Sequence, residues 1–386
     1  MQTGTQPVTR HYFDWAATAP PDIIPGGCND SGVQVPFGNP SSRHGEGRSA
    51  KEALESARSR CAAVLGVQAQ TLYFTSGGTE ANCIALFSNL FRPSGRILSS
   101  PAEHPSVSGN VEALQKLGKL TGALPVDSWG RVSPEILEKS LEKFNDARYL
   151  TVMSVNNETG AINDIKALRE VIKRLNAPVH LHCDMVQAAG KIPLDLSSCD
   201  SASFSAHKIG GPQGAGLLYL RQPCEVLYSG GAQEGKIRPG TENIYGALAM
   251  ARCLEKRAGK TTVKNEYQKA KSRMNYLMNA LEKTSRCVFI PPERKADDDS
   301  FSPYILQAAF TDIPGEVMVR VLDDAGIAIS TGSACSSSSH ERPALKAMGL
   351  DEKIIRSGIR ISQGWSTSDE EMEILINAIT RALNCL

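Results

Sequence analysis

One lysine, Lys208, lies between a histidine and a run of glycines in the stretch SFSAHKIGGPQGAG, residues 203 to 216. The stretch begins with a short segment typical of a buried strand, and loss of hydration lowers the pKa of a lysine from about 10.4. A neutral lysine amine is a nucleophile that forms a Schiff base with a carbonyl compound. The alternative is a surface lysine before a turn, so companion groups decide between the two interpretations.

Companion groups that suit a flat, anionic cofactor occur in two other stretches. In SGGT, residues 76 to 79, Gly78 and Thr79 open an expected helix whose amides and hydroxyl could bind a phosphate, although a plain tight turn has the same pattern. Asp184 ends an expected buried strand, where an unpaired charge is costly, so it should face a cation or a protonated ring nitrogen. Its alternatives are a helix N-cap and a surface ion pair. Gln187, three residues on, could reach the same ring.

Two histidines precede Asp184 on its strand. His180, His182 and Asp184 alternate in HLHCD and share one strand face, a geometry that could hold a divalent metal. Histidines on an apolar strand more often pack in the core or donate hydrogen bonds, and no HExxH spacing occurs elsewhere. We therefore predict no metal site. His104 follows the expected strand 96–100 and is a further polar group. A Schiff-base cofactor is favoured by four features taken together: Lys208, Asp184, His104 and the phosphate cradle, as we call the turn SGGT.

A cysteine among small polar residues is a second candidate for chemistry. Cys335 lies in AGIAISTGSACSSSSH, residues 325 to 340, which is typical of a mobile loop and cannot bury a thiol. An accessible thiol is a candidate nucleophile, and the alternative is an incidental exposed cysteine. The chain has ten cysteines and no CxxC pair, so we expect the others to be reduced and mostly buried. Arg360 in IRIS suits a bidentate clamp for a substrate carboxylate.

Length and charge exclude several classes of protein. A chain of 386 residues predicts two packed units, and 41% apolar residues can supply their cores. The 42 Lys and Arg residues balance 41 Asp and Glu residues, so a net charge of +1 disfavours nucleic acid and anionic membranes as partners. No apolar run approaches the ~18 residues of a membrane span, and MQTGTQPVTR lacks the apolar core of a signal peptide. We therefore expect a soluble cytoplasmic protein.

The elements that must position these residues alternate between helix and strand. Helical spacing from about residue 45 stops at Gly66, and Thr79 is the expected N-cap of a second helix, residues 80 to 91. Short apolar runs separated mostly by helices predict a largely parallel sheet covered on both faces, with its strand ends converging on one mouth. The expected strands are residues 71–75, 96–100, 148–155, 178–184, 199–205 and 214–220.

After about residue 250, charged helices and short strands predict a smaller α+β unit. In the last helix, Thr367 and Glu370 form an expected capping box. We assign residues 15–255 to a large domain, and residues 1–14 and 256–386 to a small domain that carries the Cys335 loop. The expected buried stripe of the last helix is Met372, Leu375, Ile376, Ile379 and Leu383.

Together these stretches resemble the class V aminotransferase family of pyridoxal-phosphate enzymes, and specifically its cysteine desulfurases with a long catalytic loop. The resemblance covers nearly the whole chain, and it implies a mainly parallel, seven-stranded α/β large domain sandwiched by helices, with a smaller α+β domain. The matching stretches are YFDWAATAP, FGNPSSRH, TSGGTEAN, EHPSV, NNETG, HCDMVQAAGK, SFSAHKIGGPQGAG, RPGTEN, STGSACSSSS and IRISQG.

The resemblance also implies a role for each matched residue. Lys208 would hold pyridoxal 5'-phosphate as a Schiff base and move the substrate Cα proton, while Asp184 would pair with the ring nitrogen. His104 would stack on the ring and shuttle protons. Gln187 would bond the ring hydroxyl, and Asn157 and Arg360 would bind the substrate carboxylate, with Asn157 also near the cofactor. The residues implied to hold the phosphate are Gly78, Thr79, Ser205, His207 and Thr241. Of these, Thr241 would come from the partner subunit of a homodimer.

The implied reaction converts L-cysteine to L-alanine and leaves a persulfide on Cys335. The mobile loop would then carry the sulfur to an acceptor protein, as in iron-sulfur cluster assembly. The segment GGAQEGKIRPGTEN departs from the family pattern GGGQERGLRSGTEN within residues 232–239. The chain ends at Leu386, close behind its last helix, so it looks shorter than the housekeeping members of the family, whose tails dock a scaffold protein.

Two alternatives keep the cofactor and change the reaction: a selenocysteine lyase and an aminotransferase. A third alternative, from another class, is a catalytically silent sulfur-carrier or interaction protein on the same scaffold. Cys335 separates a cysteine desulfurase from an aminotransferase, because an aminotransferase needs no thiol on a mobile loop. The presence together of Lys208, Asp184, His104, Arg360 and Cys335 favours an enzyme.

Overall fold

The computed structural model describes residues 9–22, 35–284, 286–332 and 342–386. Contacts between Cα atoms divide them into two compact units. The larger unit comprises the described residues of Ala19–Asn156 and Ile162–Asn265; the smaller comprises those up to Thr18, Asn157–Ala161 and those of Glu266–Leu386. The expected domain boundaries at residues 15 and 255 stay predictions, and sequence patterning does not separate the short segment 157–161 from the large domain.

Helices and strands alternate through most of the chain, as expected. The strands of the described residues are β1 (His11–Tyr12), β2 (Leu72–Thr75), β3 (Arg96–Ser99), β4 (Thr121–Ala123), β5 (Ala147–Thr151), β6 (His180–Asp184), β7 (Ser201–Ser205), β8 (Gly216–Leu220), β9 (Cys287–Ile290), β10 (Ile305–Phe310), β11 (Ile327–Ala328) and β12 (Gly358–Ser362). The α-helices are α1 (Gly45–Leu65), α2 (Gly78–Phe87), α3 (Pro105–Lys116), α4 (Pro134–Lys143), α5 (Ile165–Arg174), α6 (Ile244–Arg257), α7 (Lys260–Glu282), α8 (Gly315–Asp324), α9 (Pro343–Ala347), α10 (Glu352–Ser357) and α11 (Asp369–Cys385).

The larger unit contains a seven-stranded sheet in the order β2-β8-β7-β6-β5-β3-β4. The neighbours from β7 to β4 pair in parallel, whereas β8 is antiparallel to both β7 and β2. Because β8 is reversed against both neighbours, β2 points the same way as the parallel strands. The expected mainly parallel α/β sheet is confirmed. Sequence patterning missed β4, since its residues TGA contain no apolar run, and it extended β5 beyond Thr151.

Helices cover the sheet through apolar faces. Leu86 of α2 and Val107 of α3 pack in one core cluster with Ile97 of β3 and Tyr149 of β5. The helix α1 ends at Gly66, whose φ of 68° lies in the left-handed region that favours glycine, as its position in the sequence predicts. These contacts hold the strands whose ends carry the polar residues.

The segment that departs from the family pattern is anchored by a buried ion pair in the larger unit. Glu234 accepts hydrogen bonds from both terminal nitrogens of Arg58, at 2.6 and 2.7 Å, and from the backbone N–H of Phe74 at 2.7 Å. The backbone of Glu234, Gly235 and Lys236 lies in the left-handed region, with φ of 45°, 60° and 69°. Removing one partner of such a pair leaves a buried charge, so Glu234 locks this segment against α1 and β2.

The smaller unit is α+β, as expected. Its antiparallel sheet has the order β12-β10-β9, and β1 pairs in parallel with β11. The last helix, α11, buries Met372, Leu375 and Ile379 in the core of this unit, with Ile376 and Leu383 packed at its margin. No helix in the described ranges is both long and apolar enough to cross a bilayer.

The capping box of α11 lies one residue later than expected. Ser368, not Thr367, is the N-cap: its Oγ accepts from the backbone N–H of Glu371 at 3.2 Å, and Glu371 accepts from the N–H of Ser368 at 3.0 Å. Thr367 instead accepts from the N–H of Gly364 through its Oγ1. Both residues fit the Ser/Thr-x-x-Glu pattern, and the turn made by Thr367 decides which of them caps the helix.

Candidate active site

The carboxyl ends of β2, β3, β6 and β7 lie at one edge of the larger unit's sheet, because these strands point the same way. The residues that follow them are the sites predicted for chemistry. Gly78 follows β2, His104 follows β3, Asp184 ends β6, and Lys208 follows β7. Ligands bind at this edge in open α/β sheets.

The amino end of α2 forms a narrow cradle beside β7. The helix begins at Gly78, and its N-cap is Gly77. The prediction that Thr79 is the N-cap is therefore wrong. Thr79 is the second helical residue and is exposed. A Cβ on Gly78 would lie 2.6 Å from Val186 Cγ2, and a Cβ on Gly77 would lie 3.8 Å from Ser205 Oγ. A side chain on Gly78 would therefore displace Val186, whereas the Gly77 distance is an ordinary contact. The close approach at Gly78 leaves the amides of the first helical turn beside the Ser205 hydroxyl, a donor set that fits a phosphate.

Asp184 is a buried carboxylate that accepts two hydrogen bonds. Its Oδ1 accepts from the backbone N–H of Val186 at 3.0 Å, and its Oδ2 accepts from Asn82 Nδ2 at 2.8 Å. Within the described ranges, no lysine or arginine forms an ion pair with it. It is therefore neither a helix N-cap nor half of a surface ion pair, and its charge fits the protonated nitrogen of a ring.

His104 caps α3 and is held as a neutral imidazole. Its Nδ1 accepts from the backbone N–H of Ser106 at 3.1 Å and lies 2.8 Å from Ser106 Oγ. Burial lowers the pKa of His104, Asp184 acts to raise it, and Lys208 lowers it further. The ring thus feels the charges of both Asp184 and Lys208, which places these three residues in one group. Because Nδ1 accepts, the proton of the neutral ring sits on Nε2.

Lys208 ends a short 3-10 turn, Ala206–Lys208, directly after β7, and it is partly buried. The glycines that follow allow close packing, since a Cβ on Gly211 would lie 2.6 Å from Cys253 Sγ of α6. Its neighbour His207 has a pKa lowered to about 4 by burial first and then by Lys208, Lys191 and His104. His207 is therefore a neutral hydrogen-bonding group near neutral pH.

Gln187 lies in the buried turn after β6. Its Oε1 accepts from Lys191 Nζ at 2.9 Å, and both side chains are almost fully buried. Lys191 therefore orients the Gln187 amide with its oxygen turned toward the ammonium group.

The substrate-carboxylate candidate Arg360 is buried in the smaller unit. Its Nη1 donates to the carbonyl oxygens of Asn157 at 2.8 Å and Gly332 at 3.3 Å, and its Nη2 donates to Asp14 Oδ1 at 2.7 Å. Within the described residues its Nε has no partner. Asp14 and the two carbonyls thus hold the guanidinium in place. Cys335 lies outside the described residues.

Thr241 is exposed and lines a cavity of about 120 Å³ in the larger unit together with Ser76, Gly216 and Arg238. Gly216 contacts the phosphate cradle, since a Cβ there would lie 2.5 Å from Gly77 Cα. The predicted supply of Thr241 from a partner subunit stays a prediction.

The sequence profile of class V aminotransferases matches residues 11–375 of this chain. The chain belongs to the class V aminotransferase family. This match spans well over half of the sequence, and it confirms the resemblance on which the expected fold depends.

Several curated relatives of the chain have names that refer to sulfur chemistry. The chain is 33% identical over 383 residues to "Cysteine desulfurase IscS" of Dictyoglomus turgidum, with 97% of the chain and 95% of the relative covered. It is 39% identical over 353 residues to "NifS/IcsS protein homolog" of Lactobacillus delbrueckii subsp. bulgaricus, with 89% of each covered. A solved "NIFS-LIKE PROTEIN" superposes with a TM-score of 0.85 at 31% identity, covering 98% of this chain and 100% of that one.

Sequence patterning missed three polar residues of the candidate site. Asn82, Glu103 and Ser106 are buried at the edge where Asp184 and His104 lie, and Asn82 donates to Asp184. One signal was available for Asn82: a lone amide in the apolar segment NCIALF of a helix that covers the sheet must find a partner when buried. His180 and His182 both bond Ser201 Oγ at 2.8 Å.

Proposed function

We propose that this member of the class V aminotransferase family is a pyridoxal-phosphate-dependent cysteine desulfurase, which converts L-cysteine to L-alanine and collects the sulfur as a persulfide on Cys335. The observation that carries the proposal is the grouping of His104, Asp184 and Lys208 at the strand ends. Relatives named cysteine desulfurase at 31 to 35% identity support the reaction.

The donor set fits the cofactor at both ends. The α2 amides at Gly78, the hydroxyls of Thr79 and Ser205, and His207 suit a phosphate, with Thr241 of the partner subunit as a further donor. Asp184 suits the protonated ring nitrogen, and Lys191 turns the amide nitrogen of Gln187 toward an acceptor such as the ring hydroxyl. When bound, pyridoxal phosphate supplies an electron-withdrawing ring conjugated with the substrate amino group.

The residues around Lys208 suit proton transfer. Lys208 provides the amine that holds the cofactor and then takes the Cα proton of the substrate. His104, neutral with its proton on Nε2, provides both a flat face for stacking and a proton donor. Asn157 and Arg360 are assigned to the substrate carboxylate, and Asp14 keeps the Arg360 guanidinium oriented.

Sulfur transfer is assigned to Cys335. Its thiolate attacks the sulfur of the substrate, the bond between Cβ and sulfur breaks, and a sulfur–sulfur bond forms on the enzyme. The substrate Cβ gains a proton and becomes a methyl group, and Cα regains the proton that Lys208 removed, which gives alanine. A thiol reductant or an acceptor protein then removes the outer sulfur. We extend the proposal to a homodimer in the cytoplasm that serves an acceptor protein in iron-sulfur cluster assembly.

The test is to mix the protein, loaded with pyridoxal 5'-phosphate, with L-cysteine and a thiol reductant. Alanine and sulfide are expected in equal amounts. Lys208→Ala should lower the rate by at least about 10²-fold and abolish the visible absorption of the bound cofactor. A protein that stays colourless with added cofactor would overturn the enzyme proposal in favour of a silent carrier.

A thiol variant separates the reactions that share the cofactor. Cys335→Ala should abolish sulfide release, while the matched variant Cys385→Ala, at an exposed thiol near the chain end, should leave it unchanged. An aminotransferase would keep its activity in Cys335→Ala. A selenocysteine lyase would turn over selenocysteine and leave L-cysteine almost untouched.

A further inference from the structure

A continuous row of hydrogen bonds leads away from Asp184 within the larger unit. Asn82 Nδ2 donates to Asp184 Oδ2 at 2.8 Å, and Asn82 Oδ1 lies 2.9 Å from His182 Nε2. His182 Nδ1 then lies 2.8 Å from Ser201 Oγ, which in turn lies 2.8 Å from His180 Nε2. We call Asn82, His182, Ser201 and His180 the support chain. The proposed chemistry uses none of these four residues directly.

The direction of each bond in the support chain follows from Asp184. A carboxylate only accepts, so the amide nitrogen of Asn82 must face Asp184 and its oxygen must face His182. His182 Nε2 therefore carries a proton and donates, which leaves Nδ1 as an acceptor. Ser201 must donate its single proton to that Nδ1, so Ser201 Oγ accepts from His180 Nε2. All donors thus point toward Asp184.

Burial keeps this arrangement from changing with pH. Asn82, His182 and Ser201 are at most 1% exposed. Burial lowers the pKa of His182 to about 3, and burial, followed by the charge of Arg92, lowers the pKa of His180 to about 3. Both rings are therefore neutral near pH 7, as a single fixed tautomer requires. Tyr149 stacks on the His180 ring at 4.8 Å between centroids and holds it in place.

Asn82 also supports His104 through a second bond. Its Nδ2 donates to Ser106 Oγ at 2.9 Å, and that hydroxyl lies 2.8 Å from His104 Nδ1. Because Ser106 Oγ accepts from Asn82, its own proton is available to His104 Nδ1. Both groups that contact His104 Nδ1, the Ser106 hydroxyl and the Ser106 backbone N–H, are then donors. His104 therefore keeps its proton on Nε2. One amide group therefore serves both Asp184 and His104.

We infer that Asn82 is a positioning residue that holds Asp184 as an ionised acceptor and His104 as its Nε2–H tautomer, and that His182, Ser201 and His180 orient Asn82. As it concerns the cofactor, the inference rests on the proposed function. Aligned hydrogen bonds polarise one another in a low dielectric, so the support chain strengthens the hold on Asp184 beyond one bond. An Asp184 carboxylate fixed in place by these hydrogen bonds would keep the ring nitrogen in its protonated state.

A test without cofactor reads the tautomers directly. In the full chain labelled with [15N]histidine, His182 and His180 should show a protonated Nε2 and an unprotonated Nδ1 between pH 6 and 8. The variants His182→Gln and His180→Gln assign the two signals among the seven histidines. A protonated Nδ1 on His182 would reverse the direction of the support chain and overturn the inference.

A second test measures the bound cofactor. Asn82→Leu should weaken pyridoxal 5'-phosphate binding by about 10- to 100-fold, since a hydrogen bond to a charged group is lost, and Ser201→Ala should weaken it a few fold. The pH midpoint of the visible absorption should rise in both variants, because a less firmly protonated ring withdraws less charge and leaves the Lys208 nitrogen more basic. Ser201→Ala keeps the test informative if Asn82→Leu does not fold.

The matched control is Ser203→Ala on the same strand. Ser203 is as buried as Ser201, but its Oγ has no hydrogen-bond partner within the described residues. Binding and absorption like those of the wild type are expected in this variant. If Asn82→Leu and Ser201→Ala also match the wild type, the inference is wrong. If the wild-type protein itself develops no absorption band, the proposed function fails, and the tautomer measurement alone decides the inference.

Discussion

Glu103 is a fully buried carboxyl group that no proposed step uses. Its Oε1 accepts from the backbone N–H of Met153 at 2.6 Å, and its Oε2 has no partner within the described residues. Burial and, after it, the charge of Asp184 raise the pKa of Glu103 to about 8. Near neutral pH the native protein therefore holds a proton on Glu103 that the unfolded chain releases.

The proton on Glu103 should make the stability of the protein depend on pH. Between the ordinary glutamate pKa of 4.5 and about 8, the native state binds the extra proton, so the free energy of unfolding falls as the pH rises, by up to about 1.4 kcal/mol per pH unit. Glu103→Gln keeps an acceptor for Met153 and removes the titration. The free energy of unfolding of this variant is compared with that of the wild type by urea unfolding of the cofactor-free protein. The difference should favour the variant more at pH 8 than at pH 5.

The control for this comparison is Glu112→Gln, at an exposed glutamate of α3. Its stability relative to the wild type should change little between the two pH values. An unchanged difference between Glu103→Gln and the wild type at pH 5 and pH 8 would show that Glu103 is ionised in the native protein.

At the scale of elements, the cap of α11 shows how local pattern and local structure diverge. Thr367 and Ser368 both stand three residues before a glutamate, so the sequence allows two capping boxes. Thr367 is buried and bonds the N–H of Gly364, which turns the chain before the helix. Ser368 is then the residue whose hydroxyl reaches the first helical turn.

Ser368→Ala should lower the free energy of unfolding by about 0.5 to 2 kcal/mol, because the N–H of Glu371 loses its acceptor at the helix terminus. Thermal or urea unfolding measures the loss. Ser366→Ala, at an exposed serine two residues earlier, is the matched control and should change stability by no more than a few tenths. Equal stabilities for the two variants would contradict the assignment of the cap.

At the scale of the whole molecule, buried neutral histidines make the protein sensitive to acid. The pKa values of His180 and His182 are lowered to about 3 and that of His207 to about 4, in each case mainly by burial. The unfolded chain binds protons at these residues below the ordinary value of 6.5, and the native protein does not. Stability is therefore present above pH 6.5 and is lost as the pH falls.

Each of these histidines should lower the free energy of unfolding by up to about 1.4 kcal/mol for every pH unit below 6.5. The expected result is that His182→Gln loses less stability than the wild type between pH 6.5 and 4.5 when the cofactor-free protein is unfolded with urea. Ser366→Ala, at an exposed serine with no titratable group, should follow the wild type. Parallel curves for the wild type and both variants would show that His182 is protonated in the native state.

Much of the fold follows from patterns that lie close together in the chain. Short apolar runs alternating with helical spacing predict the parallel sheet, and Gly66 marks the end of α1. The polar residues after each strand predict the position of His104, Asp184 and Lys208 at one edge. The short strand β4 and the reversal of β8 escape this reasoning, because neither depends on an apolar period that the sequence displays.

The chemical groups of the candidate site and the strand that precedes each one follow from the sequence alone, since the carboxyl ends of parallel strands lie at one edge of a sheet. The groups that support them depend on tertiary contacts. Asn82 and Asp184 are 102 positions apart, and His182 meets Ser201 because β6 pairs with β7 in a register that aligns these two residues. Hydrogen bonds extend about 3 Å, so partners this distant in the chain depend on strand order and register, which sequence periodicity does not encode.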